Sequence, residues 1–364
     1  LRVPKIRVLI VDDAVTFRRL VADELNRDPA LEVVGTASNG HIALARMTQV
    51  NPDVVILDVE MPEMDGLTTL KVLRKTYPRL PVIMFSALTM RGAEATLDAL
   101  AAGATDYFTK PASAEGLEGS LEVIREALIP QIKVLCERSV RDTRLETPIA
   151  RSPPSHALGL PHVLRQVPGP VQVLAIGTST GGPNALAELF RRLPANFPVP
   201  IVIVQHMPPM FTRLLAERLS VECPIPVEEA SSGAVLQPGK AWIAPGDYHM
   251  VVIRDGRQVR LQLHQDPPEN SCRPAVDVLL RSLAQTYGPN SLSVILTGMG
   301  QDGLRGCNHI REAGGQIVVQ DEASSVVWGM PGSVARAGLA DRIMPLALIA
   351  DEILRRVQQS QVPS

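Results

Sequence analysis

Short apolar runs alternate with longer amphipathic stretches along almost the whole chain, and that rhythm confines it to the α/β class. In the first part, strand candidates fall at 6–11, 32–36, 53–57, 81–85 and 105–109, with helical patterns such as 16–26, 67–76 and 91–102 between them. Strands that read as continuous apolar runs rather than alternating ones are buried on both faces, which implies a parallel sheet covered by helices. The pattern resumes at 171–176, 199–204, 293–296 and 316–319, with helices over 183–193 and 274–287. Inside it, 241–244, 250–254 and 259–263 read as an antiparallel insertion, with Asp255-Gly256 as a hairpin turn.

Between the two alternating regions, residues 145–170 carry Pro148, Pro153, Pro154, Pro161, Pro168 and Pro170. Proline lacks an amide donor and drives its predecessor out of the α region, so the stretch reads as a linker. Arg138, Arg141 and Arg144, at helical spacing before it, read as a solvated continuation of the preceding helix. At 364 residues the chain exceeds one ordinary core, and two domains are expected. Its formal net charge of -2 gives no general attraction for nucleic acid or anionic membrane. Apolar runs such as 54–57 and 201–204 are too short to span a bilayer, so no membrane insertion is expected. The run 8–11 meets Asp12 and Asp13 at once, which is unlike a signal peptide. Cys136, Cys223, Cys272 and Cys307 are scattered without a CxxC pair, as expected of reduced packing thiols in a cytoplasmic protein.

Asp12 and Asp13 end the first strand and Asp58 the third, so the topology brings three carboxylates to the carboxyl edge of one sheet. They repel one another unless a hard cation sits between them, and Mg²⁺ suits such a site. Ser86 ends the fourth strand with a hydroxyl, and Lys110, before Pro111, adds a cation after the fifth. Together these residues describe a site that transfers a phosphoryl group onto Asp58. This region, over about residues 5–128, resembles the receiver domain of two-component response regulators. The resemblance implies Asp58 as phosphoacceptor, Asp12, Asp13 and the Glu60 carbonyl as further metal ligands, and Ser86 with Tyr107 as the pair that reports phosphorylation.

In the second region, a strand runs into Gly177-Thr178-Ser179-Thr180-Gly181-Gly182-Pro183, a glycine turn that opens a helix and would expose the Ser179 hydroxyl. A phosphate or dinucleotide loop is the rival reading; it would need a G-x-G-x-x-G spacing or a P-loop lysine, and neither is present. His206 ends the next strand, within reach of a neighbouring strand's hydroxyl. Asp302, in the glycine-rich turn 297–303, could orient that histidine, or could merely cap the following helix. The order Ser, His, Asp departs from the Ser, Asp/Glu, His order of standard α/β-hydrolases. His249, His264 and His309 lie on hairpin or helix patterns and make poor substitutes for His206.

With a receiver-like region in front, the strings 177–183, 205–208, 297–303 and 320–331 are similar to those of the chemotaxis-receptor methylesterases. That resemblance implies a flavodoxin-like (βα)5 receiver over 1–130 and a doubly wound, mainly parallel α/β hydrolase domain with an antiparallel hairpin insertion over 171–364, and the stretch left between them, 131–170, reads as the Pro-rich linker. It implies Ser179 as nucleophile, His206 as base, Asp302 as its orienter, and the amides of Met299 and Thr180 as the oxyanion hole. The implied reaction is demethylation of receptor glutamate methyl esters with release of methanol, and deamidation of particular receptor glutamines. The implied partners are a chemotaxis sensor histidine kinase and methyl-accepting chemotaxis receptors, met by a monomer whose unphosphorylated receiver packs over the hydrolase cleft. Two other readings stay open at this level: a regulatory adaptor without catalysis, and a carboxylesterase for small esters. A DNA-binding output is disfavoured, because 171–364 has no basic cluster and alternates α/β rather than forming a helix-turn-helix.

Overall fold

The computed structural model describes residues 4–111, 116–144 and 169–359. The chain divides into two compact units at Thr147/Pro148. Most of the proline-rich stretch, 145–168, lies outside the described residues, as do the side chains of Arg138, Arg141 and Arg144.

In the N-terminal unit the strands β1 (Ile6–Val11), β2 (Leu31–Ala37), β3 (Val54–Asp58), β4 (Val82–Ser86) and β5 (Asp106–Thr109) form one parallel sheet ordered β2-β1-β3-β4-β5. Strands β3 and β4 are buried at every position, because helices cover both faces. The helices are α1 (Val15–Arg27), α2 (Gly40–Val50), α3 (Gly66–Thr76), α4 (Met90–Ala101), α5 (Gly116–Val123) and α6 (Ile129–Arg144). Asn39, Asp65 and Thr89 cap α2, α3 and α4 by accepting the amides of Ile42, Thr68 and Gly92. A π-helical turn, Ile124–Leu128, joins α5 to α6, and Ile132, Leu135 and Cys136 of α6 are buried.

The C-terminal unit contains β6 (Val173–Thr178), α7 (Gly182–Phe190), β7 (Ile201–Gln205), α8 (Phe211–Glu222), β8 (Val227–Glu229), β9 (Ala241–Ile243), β10 (His249–Asp255), β11 (Gln258–His264) and α9 (Val276–Tyr287). It continues through β12 (Ser291–Ile295), α10 (Leu304–Glu312), β13 (Gln316–Gln320), α11 (Met330–Arg336), β14 (Arg342–Met344) and α12 (Leu346–Gln359). Seven strands form a parallel sheet ordered β14-β13-β12-β6-β7-β9-β8. The winding runs one way from β6 to β7 and the other way from β12 to β13, so the sheet reverses between β12 and β6. The carboxyl edge at such a reversal opens a crevice.

One expectation is corrected here. Residues 241–243 do not join the antiparallel insertion; they form β9, parallel to β7 and β8 in the main sheet. Only β10 and β11 are antiparallel, pairing from His249↔His264 to Asp255↔Gln258. An apolar run betrays burial but not its partner, and the short β8 that fixes the register of β9 carries little pattern of its own. The hairpin packs inward through Met250, Val252 and Leu261 onto the core that α9 shares with the sheet. Helix α9 presents Val276, Leu279, Leu280 and Leu283 to that core, the i, i+3, i+4, i+7 stripe of an amphipathic helix. Each such side chain contributes about 1.5–3 kcal/mol by leaving water. Among the described residues no helix is long and apolar enough to cross a membrane.

Candidate active site

The reversal of the C-terminal sheet brings three residues to one carboxyl edge. Ser179 follows β6, His206 follows β7, and Asp302 lies in the turn after β12. Strand register puts Thr178 beside Gln205, and the His206 amide donates to Thr178 O at 3.2 Å, so the nucleophile candidate and the base candidate start from adjacent backbone. On the other flank the Ser179 amide donates to Thr297 O at 3.0 Å, bringing the β12 turn against the same serine. Gly298 must lack a side chain here: a Cβ would stand 2.9 Å from Ser179 Cβ and 2.4 Å from Met330 Sδ. Gly181, at φ +77°, makes the left-handed turn into α7.

His206 Nε2 lies 2.8 Å from Asp302 Oδ2. Asp302 is 2 % exposed and accepts from every side: from Val276 N at 2.6 Å, Asp277 N at 3.0 Å, Gly303 N at 3.0 Å and Asn270 Nδ2 at 2.9 Å. Two of those donors are the first amides of α9, so Asp302 caps a helix that precedes it in the chain by some 25 residues, rather than the helix that follows it. Burial alone would raise its carboxyl pKa, but the His206 bond and charge and the backbone donors outweigh that and hold it below the usual carboxylate range. Burial likewise works against a charged His206, yet the bonds and charges of Asp302 and Cys272 raise the imidazole above its ordinary range. An ionised carboxylate only accepts, so Nε2 carries its proton, and Nδ1 is the nitrogen left to act as a base. Nδ1 faces Cys272 Sγ at 3.6 Å. Among the described residues the Ser179 hydroxyl makes no hydrogen bond, and neither the Thr180 nor the Met299 amide donates one.

The acidic pocket of the N-terminal unit has a different balance. Asp12, Asp13 and Asp58 each offer an oxygen within 4.8 Å of the others, and Asp12 and Asp58 are buried while Asp13 is exposed. Lys110 Nζ stands between the two buried ones, 2.8 Å from Asp12 Oδ2 and 2.7 Å from Asp58 Oδ2. Asp12 Oδ2 makes no hydrogen bond of good geometry despite that ammonium. Burial raises the Asp58 carboxyl to about 6 against the opposing pull of Lys110, whose own ammonium is held above its usual range despite burial by the two carboxylates. A cluster of three oxygen donors, two of them buried and served by one ammonium, can hold a divalent cation. Ser86 Oγ points elsewhere, donating toward Gly92 O at 3.0 Å, and Tyr107 lies on the neighbouring strand opposite Met84. The Glu60 side chain pairs with Arg91 at 3.2 Å, while its amide reaches Asp58 Oδ1 at 3.4 Å.

Residues 174–353 match the CheB methylesterase family and residues 8–122 the response regulator receiver domain. A protein-glutamate methylesterase/protein-glutamine glutaminase of Trichodesmium erythraeum is 57% identical, over 97% of this chain and 99% of its own length. One from a Nocardioides species is 50% identical over 98% and 97%. The chain belongs to the protein-glutamate methylesterase/protein-glutamine glutaminase family. The crystal structure of the Thermotoga maritima CheB methylesterase catalytic domain, 41% identical, covers 51% of this chain and 98% of that one with a TM-score of 0.50. This methylesterase therefore joins a response regulator receiver to a hydrolase domain, and the receiver puts the hydrolase under phosphorylation control.

Several residues that shape the methylesterase site escape a reading of the sequence. Gln205 Nε2 donates to the carbonyls of both Ser179, at 3.0 Å, and His206, at 3.2 Å, tying the two backbones together. Thr297 Oγ1 accepts from Val327 N at 3.0 Å and donates to Thr180 O at 2.9 Å, and the Thr297 amide is held by Gln320 Oε1 at 2.8 Å. Asn270 links Asp302 to Asp277, with 2.9 Å to each. Gln205 and Gln320 end buried strands, and a polar side chain closing an apolar run is the one signal that could have flagged them. Cys272, read from sequence as a packing thiol, instead touches the histidine.

Proposed function

We propose that Ser179 attacks the γ-carbonyl of a receptor glutamate methyl ester while His206 Nδ1 takes its proton. Asp302 keeps Nε2 protonated and offsets the charge of the imidazolium that forms. The amides of Met299 and Thr180, half-buried and without another acceptor among the described residues, donate to the oxyanion. His206 then protonates the departing methanol, a poor leaving group without that proton, and water hydrolyses the acyl-enzyme. The same acyl chemistry converts a receptor glutamine side chain to glutamate with loss of ammonia. The observation that carries this reading is the 2.8 Å contact of His206 Nε2 with the buried, fully answered Asp302. A purely adaptor role gives no reason to bury an ionised carboxylate behind a histidine.

Control enters at Asp58, which receives a phosphoryl group from a chemotaxis sensor histidine kinase. Mg²⁺ would be held by Asp12, Asp13, Asp58 and the Glu60 carbonyl, where it neutralises charge on the phosphoryl oxygens. Lys110 sits beside the same oxygens, and Ser86 with Tyr107 passes the change to the domain surface, shifting the population toward an active arrangement. The receiver core lies within 1–130 with helix α6 packed on it, the linker follows α6, and the catalytic domain covers 171–364, in a cytoplasmic monomer that acts on methyl-accepting chemotaxis receptors. Methanol release from methylated receptor membranes, with and without acetyl phosphate and Mg²⁺, tests the reading. Release that rises with the phosphodonor and vanishes in Ser179→Ala is expected; release unaffected by that substitution contradicts it.

A further inference from the structure

We propose that Cys272 is a positioning residue of the esterase, holding the Nδ1 edge of His206 and sharing the proton that this nitrogen receives. The proposal rests on the assignment of Ser179, His206 and Asp302 given above. Asp302 occupies Nε2, so Nδ1 is the ring nitrogen left for the nucleophile's proton. Cys272 Sγ is 3.6 Å from that nitrogen, within reach of a sulfur hydrogen bond, and no other side chain among the described residues is bonded to it.

A built element brings the thiol there. Residues 269–272 form a tight turn, closed by Glu269 N to Cys272 O at 3.1 Å and Cys272 N to Glu269 O at 2.9 Å. Both central residues are left-handed, Asn270 at φ 53° and Ser271 at φ 61°, a conformation tolerable for asparagine and costlier for serine. The turn is anchored twice. Asn270 Nδ2 donates to Asp302 Oδ1 and Asp277 Oδ2, and Glu269 receives a two-pronged ion pair from Arg281 of α9. The carboxylate that orients one edge of the imidazole thus also fixes, through Asn270, the turn that presents sulfur to the other edge. Cys136 and Cys307, by contrast, are buried, as packing thiols are.

When the ring is neutral and ready to act as a base, the thiol S–H donates to the Nδ1 lone pair. As the Ser179 oxygen bonds to the carbonyl carbon, its proton moves to Nδ1, and the sulfur turns a lone pair to the new N–H. The proton then leaves with the alkoxide oxygen as methanol; no bond to sulfur forms or breaks. Sulfur is a weak and long partner, so it aligns the ring without competing strongly with the serine hydroxyl. The charged groups facing His206 are Asp302 from the β12–α10 turn and, beyond the 269–272 turn, Asp277 and the Glu269–Arg281 pair. Asp302 favours the charged imidazole, and the sulfur, bonded to the Nδ1 edge, fixes the orientation of the ring.

The test uses the full chain, activated by acetyl phosphate and Mg²⁺, with methanol release followed across pH. Cys272→Ala is expected to lower kcat about threefold to tenfold at unchanged KM. Ser179→Ala is run in parallel. If it turns over like the parent, the underlying triad assignment has failed; if it is dead while Cys272→Ala keeps the parent's kcat, the positioning role is overturned. Should Cys272→Ala not fold, the rate at which iodoacetamide alkylates Cys272 in the parent is measured against pH. That curve should contain a step that His206→Gln removes, and identical curves overturn the proposal.

Discussion

Asp58 shares its pocket with two more carboxylates and a single ammonium, whereas Asp302 stands among amide, imidazole and side-chain donors that answer both of its oxygens. Both are buried at the carboxyl edge of a parallel sheet, yet burial raises the first to about 6 and the second is held below the ordinary range. The difference lies in the donors, not in the depth. Asp58, proposed to change its charge by taking up a phosphoryl group, is left short of partners. Asp302, proposed to keep its charge through a catalytic cycle, is surrounded by them.

The largest effect should come from breaking the well-answered side. Ser179→Ala and His206→Ala are each expected to cut methanol release by about 10⁴-fold or more, measured on phosphodonor-activated protein. Asp302→Ala removes the acceptor of several buried amides, and should both cripple turnover and lower unfolding stability by about 3–5 kcal/mol in urea titrations. Because the folded pKa of Asp302 is depressed, its contribution to stability is present above the ordinary carboxylate value and is lost as pH falls through the folded one. A stability of Asp302→Ala equal to the parent's at neutral pH would mean those amides find other partners.

Gln205→Leu tests how far the backbone tie matters. It keeps the volume and removes both donations, and kcat should fall about tenfold with little change in KM. On the under-answered side, Asp58→Asn should abolish stimulation by acetyl phosphate, while deletion of residues 1–145 should raise the unstimulated rate above that of the intact chain. A truncated enzyme no faster than the intact one would remove the idea of a restraining receiver. The smallest effect is a titration: carboxyl NMR should place Asp58 near pH 6 without divalent cation and lower with Mg²⁺, whose charge favours the carboxylate. Phosphoryl uptake needs the ionised form, so in Mg²⁺ it should decline only as pH drops through the lower, cation-bound midpoint. A cation-free midpoint near 4 would show that burial is not felt at Asp58.

Much of this arrangement is legible in the chain. Buried parallel strands read as unbroken apolar runs, and Asp12, Asp58, Ser179 and His206 stand where those runs stop, so topology alone brings them to the sheet edges. Asp302 was legible as a polar turn residue but not as the cap of α9, since nothing local joins it to Val276 and Asp277. Residues 241–243 were legible as a strand but not as a parallel one, because the partner that decides the pairing lies elsewhere in the sequence. Asn270 and Cys272 were the least visible. Their parts depend on a turn whose two left-handed residues carry no distinctive signature and whose anchors are distant in sequence.

Treatment of the intact protein with a serine-directed fluorophosphonate, followed by peptide mass spectrometry, tests the account most directly. One adduct on Ser179, formed by the parent and lost in both Ser179→Ala and His206→Ala, is the predicted result. An unmodified Ser179 in protein that still releases methanol from receptors, or labelling indifferent to His206, would contradict it.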